Sequence, residues 1–395
     1  MEIKVTDRAG EFREQPSGYR AFVPRGLPPV PPVEIDGALQ ALLSEADRSL
    51  GRLDGITEIL PDPDLFVSMF VRQEAVLSSQ IEGTQSSLTD LLAFEAGQVA
   101  RNPDDARQVV NYVRAMNKGI ADLGTLPLSL RLIRSIHEEL MLGVRGQHAS
   151  PGEFRTSQNW IGSTGSTLSN ATFVPPPVED MKRALYDLEN FLHAKDDLPA
   201  LINCAVAHAQ FETIHPFLDG NGRVGRLLIT FQLVERGILQ QPLLYLSHYF
   251  KRHRAEYYDR LMAVRLDGNW EAWIAFFLRG VSSVSREATA TARDILALRE
   301  SHLKLAGGIA SKYSVPLLEL LFASPVLDIR TIEGRIGCTY AQANSLVGRF
   351  ESLGILAETT GQKRYRSYRY APYLTLFDSG DIDSGDTGRH NGRAL

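Results

Sequence analysis

The chain has 395 residues and a formal net charge of −5, with 44% hydrophobic and 23% charged residues. These values are ordinary for a soluble globular protein of two or three domains, and they argue against a chain that coats nucleic acid along its whole length. The sequence offers neither the ~18 consecutive apolar residues of a membrane span nor an apolar secretory signal. Cys204 and Cys338 are the only cysteines, so we expect free thiols, which fits a reducing cytoplasm. Without a membrane span or a signal, we expect a bacterial cytoplasmic location and no membrane partner.

The N-terminal region predicts an arm followed by helices. Residues 1–35 are polar and then rich in proline, which predicts an extended arm on the surface. Helical periodicity runs from Ile35 to Leu50, and a stronger helix is expected over Leu65–Ile81, with Gly83 as its terminator. Glu82 stands at the C-terminal end of that helix, where the dipole disfavours an anion. Its carboxylate is therefore either solvated or paired with a cation.

Helical patterns continue over residues 84–145, and a non-helical stretch follows them. Within it, residues 159–162 and 171–175 flank a turn rich in Gly, Ser and Thr, which predicts a hairpin. Taken from the residues alone, this hairpin could be a structural cap without a chemical role. An amphipathic helix is expected over Val178–His193.

The stretch from His215 to Arg226 concentrates a base, an acid, a glycine-rich turn and two arginines. Apolar stripes on both sides predict a helix, a tight loop and a second helix that ends at Gly237. Backbone amides at Gly220, Asn221 and Gly222 would face an anion at the N-terminus of the second helix. The stretch therefore predicts a binding site for a phosphate group.

Charged and titratable side chains complete this predicted site. Arg223 and Arg226 lie three residues apart on the first helical turn, so both can lean toward the anion. Asp219 is a natural ligand for Mg²⁺ beside a polyphosphate. His215 lies at the rim of the loop, where it can act as a base. The pattern favours phosphoryl or nucleotidyl transfer.

Three other interpretations stay open but are less favoured. Gly220, Gly222 and Gly225 match a dinucleotide-binding fingerprint, although that fingerprint needs a preceding strand. The glycines could instead form only a structural turn between two core helices. His208 and His215 with Asp219 suggest a metal hydrolase, but a hydrolytic site usually needs three tightly arranged ligands. His208 is more easily explained as a hydrogen-bonded core residue.

The same stretch resembles the signature of Fic-domain proteins, His-Pro-Phe-x-Asp/Glu-Gly-Asn-Gly-Arg-x-x-Arg, at every defined position. The resemblance covers roughly residues 60–300. Enzymes of this family transfer AMP from ATP to a hydroxyl side chain of a target protein. The resemblance implies that His215 is the catalytic base, that Asp219 holds Mg²⁺ and that Tyr258 borders the adenine pocket. It also implies that the ATP phosphates are bound by Gly220, Asn221, Gly222, Arg223, Gly225 and Arg226.

The resemblance also implies a regulatory segment and a docking segment. Residues 78–83 resemble the inhibitory motif Ser/Thr-x-x-x-Glu-Gly/Asn, formed here by Ser78, Glu82 and Gly83. In that motif the glutamate pairs with the last arginine, here Arg226, and blocks the position of the γ-phosphate. The hairpin at about 155–177 resembles the flap on which the target protein docks. A homodimer is a further expectation drawn from the family.

The C-terminal region, residues 310–377, predicts a winged helix-turn-helix domain. Two helices, Ile329–Ile336 and Tyr340–Leu353, flank a short turn, and a two-stranded wing follows them. The reading helix carries only Arg349, offset by Glu351, while the wing is richer, with Lys363, Arg364, Arg366 and Arg369. On this charge pattern we favour protein docking or dimerisation over DNA binding. The tail, residues 378–395, is expected to be disordered.

The sequence thus predicts a mainly α-helical protein with a small hairpin flap and a C-terminal winged-helix domain. We expect an N-terminal helical region over 1–100, a catalytic domain over 101–307 and the winged-helix domain over 310–377. The expected function is transfer of AMP from ATP, with Mg²⁺, to a Ser, Thr or Tyr hydroxyl of a target protein, inhibited by Glu82. Two alternatives remain: removal of AMP from a modified protein with Glu82 positioning water, and nucleotide sensing through the winged helix.

Overall fold

Helices make up most of the chain, as its apolar periodicity predicts, and the mainly α class is confirmed. A computed structural model describes residues 5–57, 63–98, 101–143, 150–162, 165–194, 198–362 and 364–377. The chain divides into two compact units, Met1–Ala292 and Arg293–Leu395. The predicted boundary between 307 and 310 stays a prediction.

The first unit is built from helices whose bounds lie close to the predicted ones. They are α1 (Gly37–Ile56), α2 (Pro63–Ile81), α3 (Leu88–Glu95), α4 (Pro103–Leu123), α5 (Leu130–Leu140), α6 (Val178–His193), α7 (Ala200–Ile214), α8 (Asn221–Glu235), α9 (Ser247–Arg252), α10 (Arg254–Asp267) and α11 (Trp270–Gly307). The last of these is one continuous helix that begins in the first unit and continues past Ala292 into the second.

Helix α7 lies at the centre of the core, because nearly every one of its side chains is buried. It is rich in alanine and small residues, which allow the surrounding helices to approach closely. His208, on this helix, donates from Nδ1 to the carbonyl of Gly225 (2.9 Å) and accepts from the hydroxyl of Tyr257 (2.9 Å). The prediction that His208 is a hydrogen-bonded core residue is confirmed.

The N-terminal arm is a hairpin, so the predicted extended arm is wrong for this part of the chain. Strands β1 (Gly10–Glu14) and β2 (Arg20–Pro24) pair in antiparallel fashion. Phe22 is fully buried, and its amide donates to the carbonyl of Val174 at 2.9 Å. The proline content of residues 1–35 concealed this pairing. The arm thus packs against the segment that contains the predicted flap.

The predicted flap hairpin is present as a single antiparallel pair among the described residues. Ile161 and Phe173 exchange backbone hydrogen bonds of 2.8 and 3.0 Å. Residues 163–164, within the predicted turn, lie outside the described residues. Val174 beside this pair bonds to β2, so the flap segment is joined to the N-terminal hairpin.

Helices α4 and α8 meet at Gly119, where no side chain fits. A Cβ atom at this position would lie 2.2 Å from Cζ of Phe231, whose ring is fully buried. Gly119→Ala is expected to lower the free energy of unfolding by about 1–3 kcal/mol, because the core is overpacked there. Gly51→Ala, in open space on α1, is the matched control and is expected to be neutral or stabilising by about 0.5–1 kcal/mol. Chemical denaturation tests the pair; equal stability of the two variants would contradict the close packing.

The second unit contains short helices and a small antiparallel sheet. Its elements are α12 (Ser314–Ala323), β3 (Val326–Asp328), α13 (Ile329–Ile336), α14 (Tyr340–Ser352), β4 (Ala357–Glu358), β5 (Ser367–Arg369) and α15 (Ala371–Thr375). The sheet has the strand order β3-β5-β4, and β3 was not predicted. The tail 378–395 was predicted to be disordered, and it lies outside the described residues. Lys363, predicted to be a cation of the wing, lies outside them as well.

Candidate active site

The loop between α7 and α8 starts with a residue in a strained conformation. His215 follows the last residue of α7 with φ of 49° and ψ of 61°, in the left-handed region. A non-glycine residue in this region costs of the order of 1–3 kcal/mol and persists only where its surroundings impose it. Gly220, with φ of 80°, ends the loop before α8 begins at Asn221. The predicted helix, loop and helix are confirmed.

Asn221 fastens this loop through its side chain. Its Oδ1 accepts from the amide of Phe217, and its Nδ2 donates to the carbonyl of the same residue, both at 2.8 Å. The side-chain amide is therefore occupied within the loop. Any contribution of Asn221 to anion binding would come from its backbone amide at the N-terminus of α8.

Arg155 and Asn159 hold the backbone of His215 from the other side. Arg155 donates from Nε of its guanidinium to the carbonyl of His215 at 3.0 Å. The backbone amide of Arg155 donates to the carbonyl of Pro216 at 2.9 Å. Asn159 donates from Nδ2 to the carbonyls of His215 (3.2 Å) and Phe217 (2.9 Å). These contacts explain how the left-handed conformation of His215 is imposed. Neither residue was assigned a role from the sequence, because their partners lie about sixty residues away.

His137 supports the loop below Asp219. Its Nδ1 accepts from the amide of Gly152 at 2.9 Å, so Nε2 carries the proton that donates to the carbonyl of Asp219 at 3.0 Å. The ring stacks on Phe217, with ring centroids 3.7 Å apart. Burial lowers the pKa of His137 to about 4, which keeps the imidazole neutral. His137 is therefore a structural residue.

The imidazole of His215 is neutral in this environment. Burial, and next the charge of Arg265, lower its pKa to about 3. Arg265 is close because its guanidinium donates to Oγ1 of Thr213 and to the carbonyl of Glu212, both at 3.1 Å. The same guanidinium lies 4.0 Å from the ring centroid of Phe173, in the flap segment. A neutral imidazole at pH 7 is the form that can accept a proton.

Arg226 is held by the segment that precedes it by almost 150 residues. Its Nε donates to Oγ of Ser78 at 2.7 Å, and its Nη2 donates to the carbonyl of Ser78 at 3.0 Å. The same Nη2 lies 2.7 Å from Oε1 of Glu82. The arginine side chain is only 2% exposed, whereas that of Glu82 is 37% exposed. The arginine therefore pairs with the carboxylate that follows α2.

Glu82 is ionised in this pair. Burial raises its pKa, but the charge and hydrogen bond of Arg226 outweigh burial, so the pKa of Glu82 lies below its ordinary value. Gly222 gives the carboxylate its space, because a Cβ atom there would lie 2.2 Å from Oε1 of Glu82. Gly83, with φ of 105°, follows Glu82 and lets the chain turn away from α2.

Gly225 makes room for a second carboxylate, that of Glu212. A Cβ atom at Gly225 would lie 2.3 Å from Oε1 of Glu212. Glu212 is buried, and burial raises its pKa to about 7. The glycine spacing of this motif therefore serves close packing against carboxylates. Because helix α7 precedes the motif, the dinucleotide-fingerprint interpretation is wrong.

The helix that carries Ser78 is anchored by a buried glutamate. Glu74, on α2, accepts from the amide of Ser247 at 3.0 Å and from the hydroxyl of Tyr112 at 3.1 Å. Burial raises the pKa of Glu74 to about 7. These contacts fix α2 one helical turn before Ser78, and no local sequence pattern predicts them.

Arg223 and Asp219 lie at the mouth of the loop. Arg223 donates from Nη1 to Oε1 of Gln108 at 3.1 Å, and its Nη2 lies 3.6 Å from Oδ1 of Asp219. The Asp219 side chain is 53% exposed, and its Oδ1 accepts from the amide of Gly220 at 2.6 Å. One exposed carboxylate fits Mg²⁺, which keeps several waters and binds mainly through phosphates. Among the described residues, no group of three or more His, Cys, Asp or Glu is arranged to hold a metal.

Tyr258 is the predicted adenine contact, and its ring is 40% exposed. The adjacent Tyr257 is buried and bonded to His208, which fixes the start of α10. Burial, together with the charge of Glu82, raises the pKa of Tyr258 above its ordinary value.

This helical fold, with a strained histidine, an amide-lined loop and a paired arginine, belongs to a known family. Residues 40–121 match the Fic/DOC family N-terminal model, and residues 127–233 match the Fic/DOC family model. The chain is a Fic-domain protein, as its signature predicted.

Two curated relatives and one solved structure illustrate the similarity. A probable protein adenylyltransferase of Aquifex aeolicus is 28% identical over 182 residues, 44% of this chain and 51% of that protein. The protein adenylyltransferase Fic of Aedes aegypti is 30% identical over 206 residues, 50% of this chain and 37% of that protein. A crystal structure of a Fic family protein from Desulfovibrio desulfuricans shares the fold with a TM-score of 0.58 and 19% identity, covering 86% of this chain and 97% of that one.

This chain therefore spans about half or less of the length of these curated relatives. Among the described residues, no helix has the length and apolar content that a membrane span requires. Both cysteines are free thiols, as predicted.

Proposed function

We propose that this protein is an adenylyltransferase that moves AMP from ATP onto a Ser, Thr or Tyr hydroxyl of a target protein. The observation that carries this proposal is the neutral imidazole of His215, held in a strained conformation next to an amide-lined loop and two arginines. Relatives named protein adenylyltransferase support it at the level of the family.

In the proposed reaction His215 removes the proton from the target hydroxyl. The hydroxyl oxygen forms a bond to the α-phosphorus of ATP, and the bond from that phosphorus to the pyrophosphate oxygen breaks. Backbone amides of Asn221 and Gly222 and the side chain of Arg223 offset the charge on the phosphates, while the amide of Gly220 is occupied by Oδ1 of Asp219. Asp219 would hold Mg²⁺, which neutralises phosphate charge when bound.

The pair of Glu82 and Arg226 accounts for inhibition in this proposal. Arg226 is the cation for the γ-phosphate, and it cannot bind Glu82 and that phosphate through the same Nη2 group. An ATP that enters beside Glu82 would place its α-phosphate out of line with the oxygen that His215 activates. Misplacement by about 1 Å can cost on the order of a hundredfold in rate.

The roles proposed for the separate regions of the chain follow the sequence prediction. Residues 1–100 carry the inhibitory segment at 78–83, and residues 101–307 form the catalytic domain. The flap at about 155–177 docks the target, with the backbone of Ile161 and Phe173 in the strand pair nearest its tip. A homodimer remains part of this proposal as a family-based expectation.

Parallel incubation with ATP labelled at the α-phosphate and at the γ-phosphate tests the proposed function. Transfer of AMP is expected to leave the α-label, and not the γ-label, covalently on protein, with pyrophosphate released. The protein itself and a cell extract are suitable acceptors. Retention of the γ-label would show a kinase, and binding of ATP without covalent label in the activated Glu82→Gly variant would favour a nucleotide sensor.

A further inference from the structure

The C-terminal unit differs in charge from the rest of the chain. Residues 293–377 carry eleven Lys and Arg against seven Asp and Glu, and the tail 378–395 adds two Arg and four Asp, so the unit has a net charge of +2. The whole chain has a net charge of −5, so residues 1–292 carry −7. Such an asymmetry is typical of a chain in which one part binds a polyanion.

Helix α14 presents an exposed face of small residues. Ala341, Ser345 and Gly348 lie along the middle of this face, and all three are exposed. The opposite face is buried, with Ala343, Leu346, Val347 and Phe350 in the core of the unit. A helix face without bulky side chains lets the helix backbone come close to its partner.

A cationic cleft lies along one side of this face. It has a volume of about 240 Å³ and is lined by Asp328, Ile329, Arg330, Tyr340, Arg364, Tyr365 and Arg366. Arg366 donates to Oδ1 of Asn344 on α14 at 3.0 Å, which places that guanidinium beside the helix. Arg330 and Arg364 are exposed and form no ion pair within the described part of the chain. Tyr365 is 82% exposed.

A second cleft lies along the other side. Its volume is about 450 Å³, and its lining is Ala310, Ser311, Lys312, Tyr313, Ala341, Gln342, Ser345, Leu346 and Arg349. Lys312 and Arg349 are the cations of this cleft, and both are exposed. The exposed face of α14 is therefore flanked by cations on both sides.

We propose that the C-terminal unit binds duplex DNA, with α14 in the major groove and the two clefts on the phosphates at its edges. The sequence-based preference for docking rested on the nearly neutral reading helix, although the wing was already seen to be richer in cations. Base edges can be read by neutral polar side chains as well as by cations, while the phosphate contacts that supply non-specific affinity can come from flanking elements. Arg330, Arg364 and Arg366 on one side and Lys312 and Arg349 on the other meet that requirement.

Two features favour duplex DNA over other polyanions. The major groove of B-form DNA is about 12 Å wide and admits a helix, whereas that of A-form RNA is too narrow for side chains to read. An acidic peptide would need cations along one continuous groove. Here the cations form two groups separated by the small, neutral face of α14.

Anisotropy of a labelled random-sequence duplex, titrated with the full chain, tests the proposal. Saturable binding is expected at low salt, with a strong salt dependence. The triple variant Arg330→Ala, Arg364→Ala, Arg366→Ala is expected to bind at least tenfold more weakly and to reduce the salt slope by about 2–3. The matched control, Arg131→Ala, Lys182→Ala, Arg183→Ala, removes the same charge from exposed sites of the first unit and is expected to bind like the wild type.

A substitution in the centre of the helix face separates groove binding from general attraction to cations. Ser345→Phe places a bulky, neutral side chain on the exposed face without changing the charge, and it is expected to weaken binding at least tenfold because the helix can no longer approach the bases closely. Ser345→Ala is expected to stay within about twofold of the wild type. No binding to the duplex, equal losses in the two triple variants, or equal affinity for polyglutamate would overturn the proposal. Labelling with ATP is expected to be unchanged in all these variants, so this test is independent of the adenylyltransferase proposal.

Discussion

Glu82→Gly is expected to raise incorporation of AMP into the protein itself by about tenfold or more. The substitution removes the carboxylate that lies 2.7 Å from Nη2 of Arg226, while Ser78 continues to hold the arginine through its hydroxyl and carbonyl. Arg226 then offers a positioned, unpaired donor to the γ-phosphate. The fold should persist, because Glu82 follows the last residue of α2 and is partly exposed.

The control for this experiment lies in the same loop. Gln85→Gly changes an exposed residue three positions later and is expected to leave labelling within about twofold of the wild type. Arg226→Ala should not mimic Glu82→Gly, since it removes the phosphate contact together with the partner of the inhibitor. The inhibitory role of Glu82 would be wrong if Glu82→Gly left labelling unchanged. A loss of AMP removal, without a gain in transfer, would instead indicate a direct catalytic role for Glu82.

His215→Ala, made in the Glu82→Gly background, is expected to reduce AMP transfer by about 10²- to 10⁴-fold. The imidazole is the proposed proton acceptor, and no other described imidazole lies at the rim of the loop. Binding of ATP, measured by calorimetry, should be retained, because the arginines and loop amides are unchanged. His193→Ala, which removes an exposed imidazole on α6, is the matched control. Near-normal transfer by His215→Ala would exclude its role as base.

The pH profile gives a second test of His215. Its pKa is lowered to about 3, so the imidazole stays neutral at all pH values well above 3. The value of kcat/KM in the Glu82→Gly variant is therefore expected to show no acid limb with a midpoint near 6.5, the ordinary pKa of histidine. A midpoint near 6.5 would show that His215 is more solvated than its burial in the structure indicates.

The local features of the site were predictable from the sequence. Pro216 and the glycines of the loop specify where α7 ends and α8 begins. Proline restricts φ and glycine permits positive φ, and both effects act on the backbone of only a few neighbouring residues. The periodicity of Ala200–Ile214 likewise indicated a helix. The pairing of Glu82 with Arg226 came only from the resemblance to the Fic family. The helix dipole indicated only that Glu82 is either solvated or paired with a cation, and it did not identify that cation.

The contacts that impose the geometry of the site were not predictable, since each joins distant parts of the chain. Arg155 donates a hydrogen bond to the carbonyl of His215, 60 residues away. Glu74 accepts one from the amide of Ser247, 173 residues away. The role of Gly222 was likewise only partly predictable from the sequence. The sequence explained this glycine by its amide, whereas the structure shows that it also leaves space for Oε1 of Glu82. Long-range packing of this kind has no signature at either position.

The most direct test of the central claim is intact-mass spectrometry of three purified proteins after incubation with ATP and Mg²⁺. The wild-type chain, Glu82→Gly and the double variant Glu82→Gly, His215→Ala are compared over the same time course. We expect an added mass of one or more adenylyl groups on Glu82→Gly, little on the wild type and none on the double variant. Equal adenylylation of the wild type and Glu82→Gly, or adenylylation that survives the loss of His215, would contradict it.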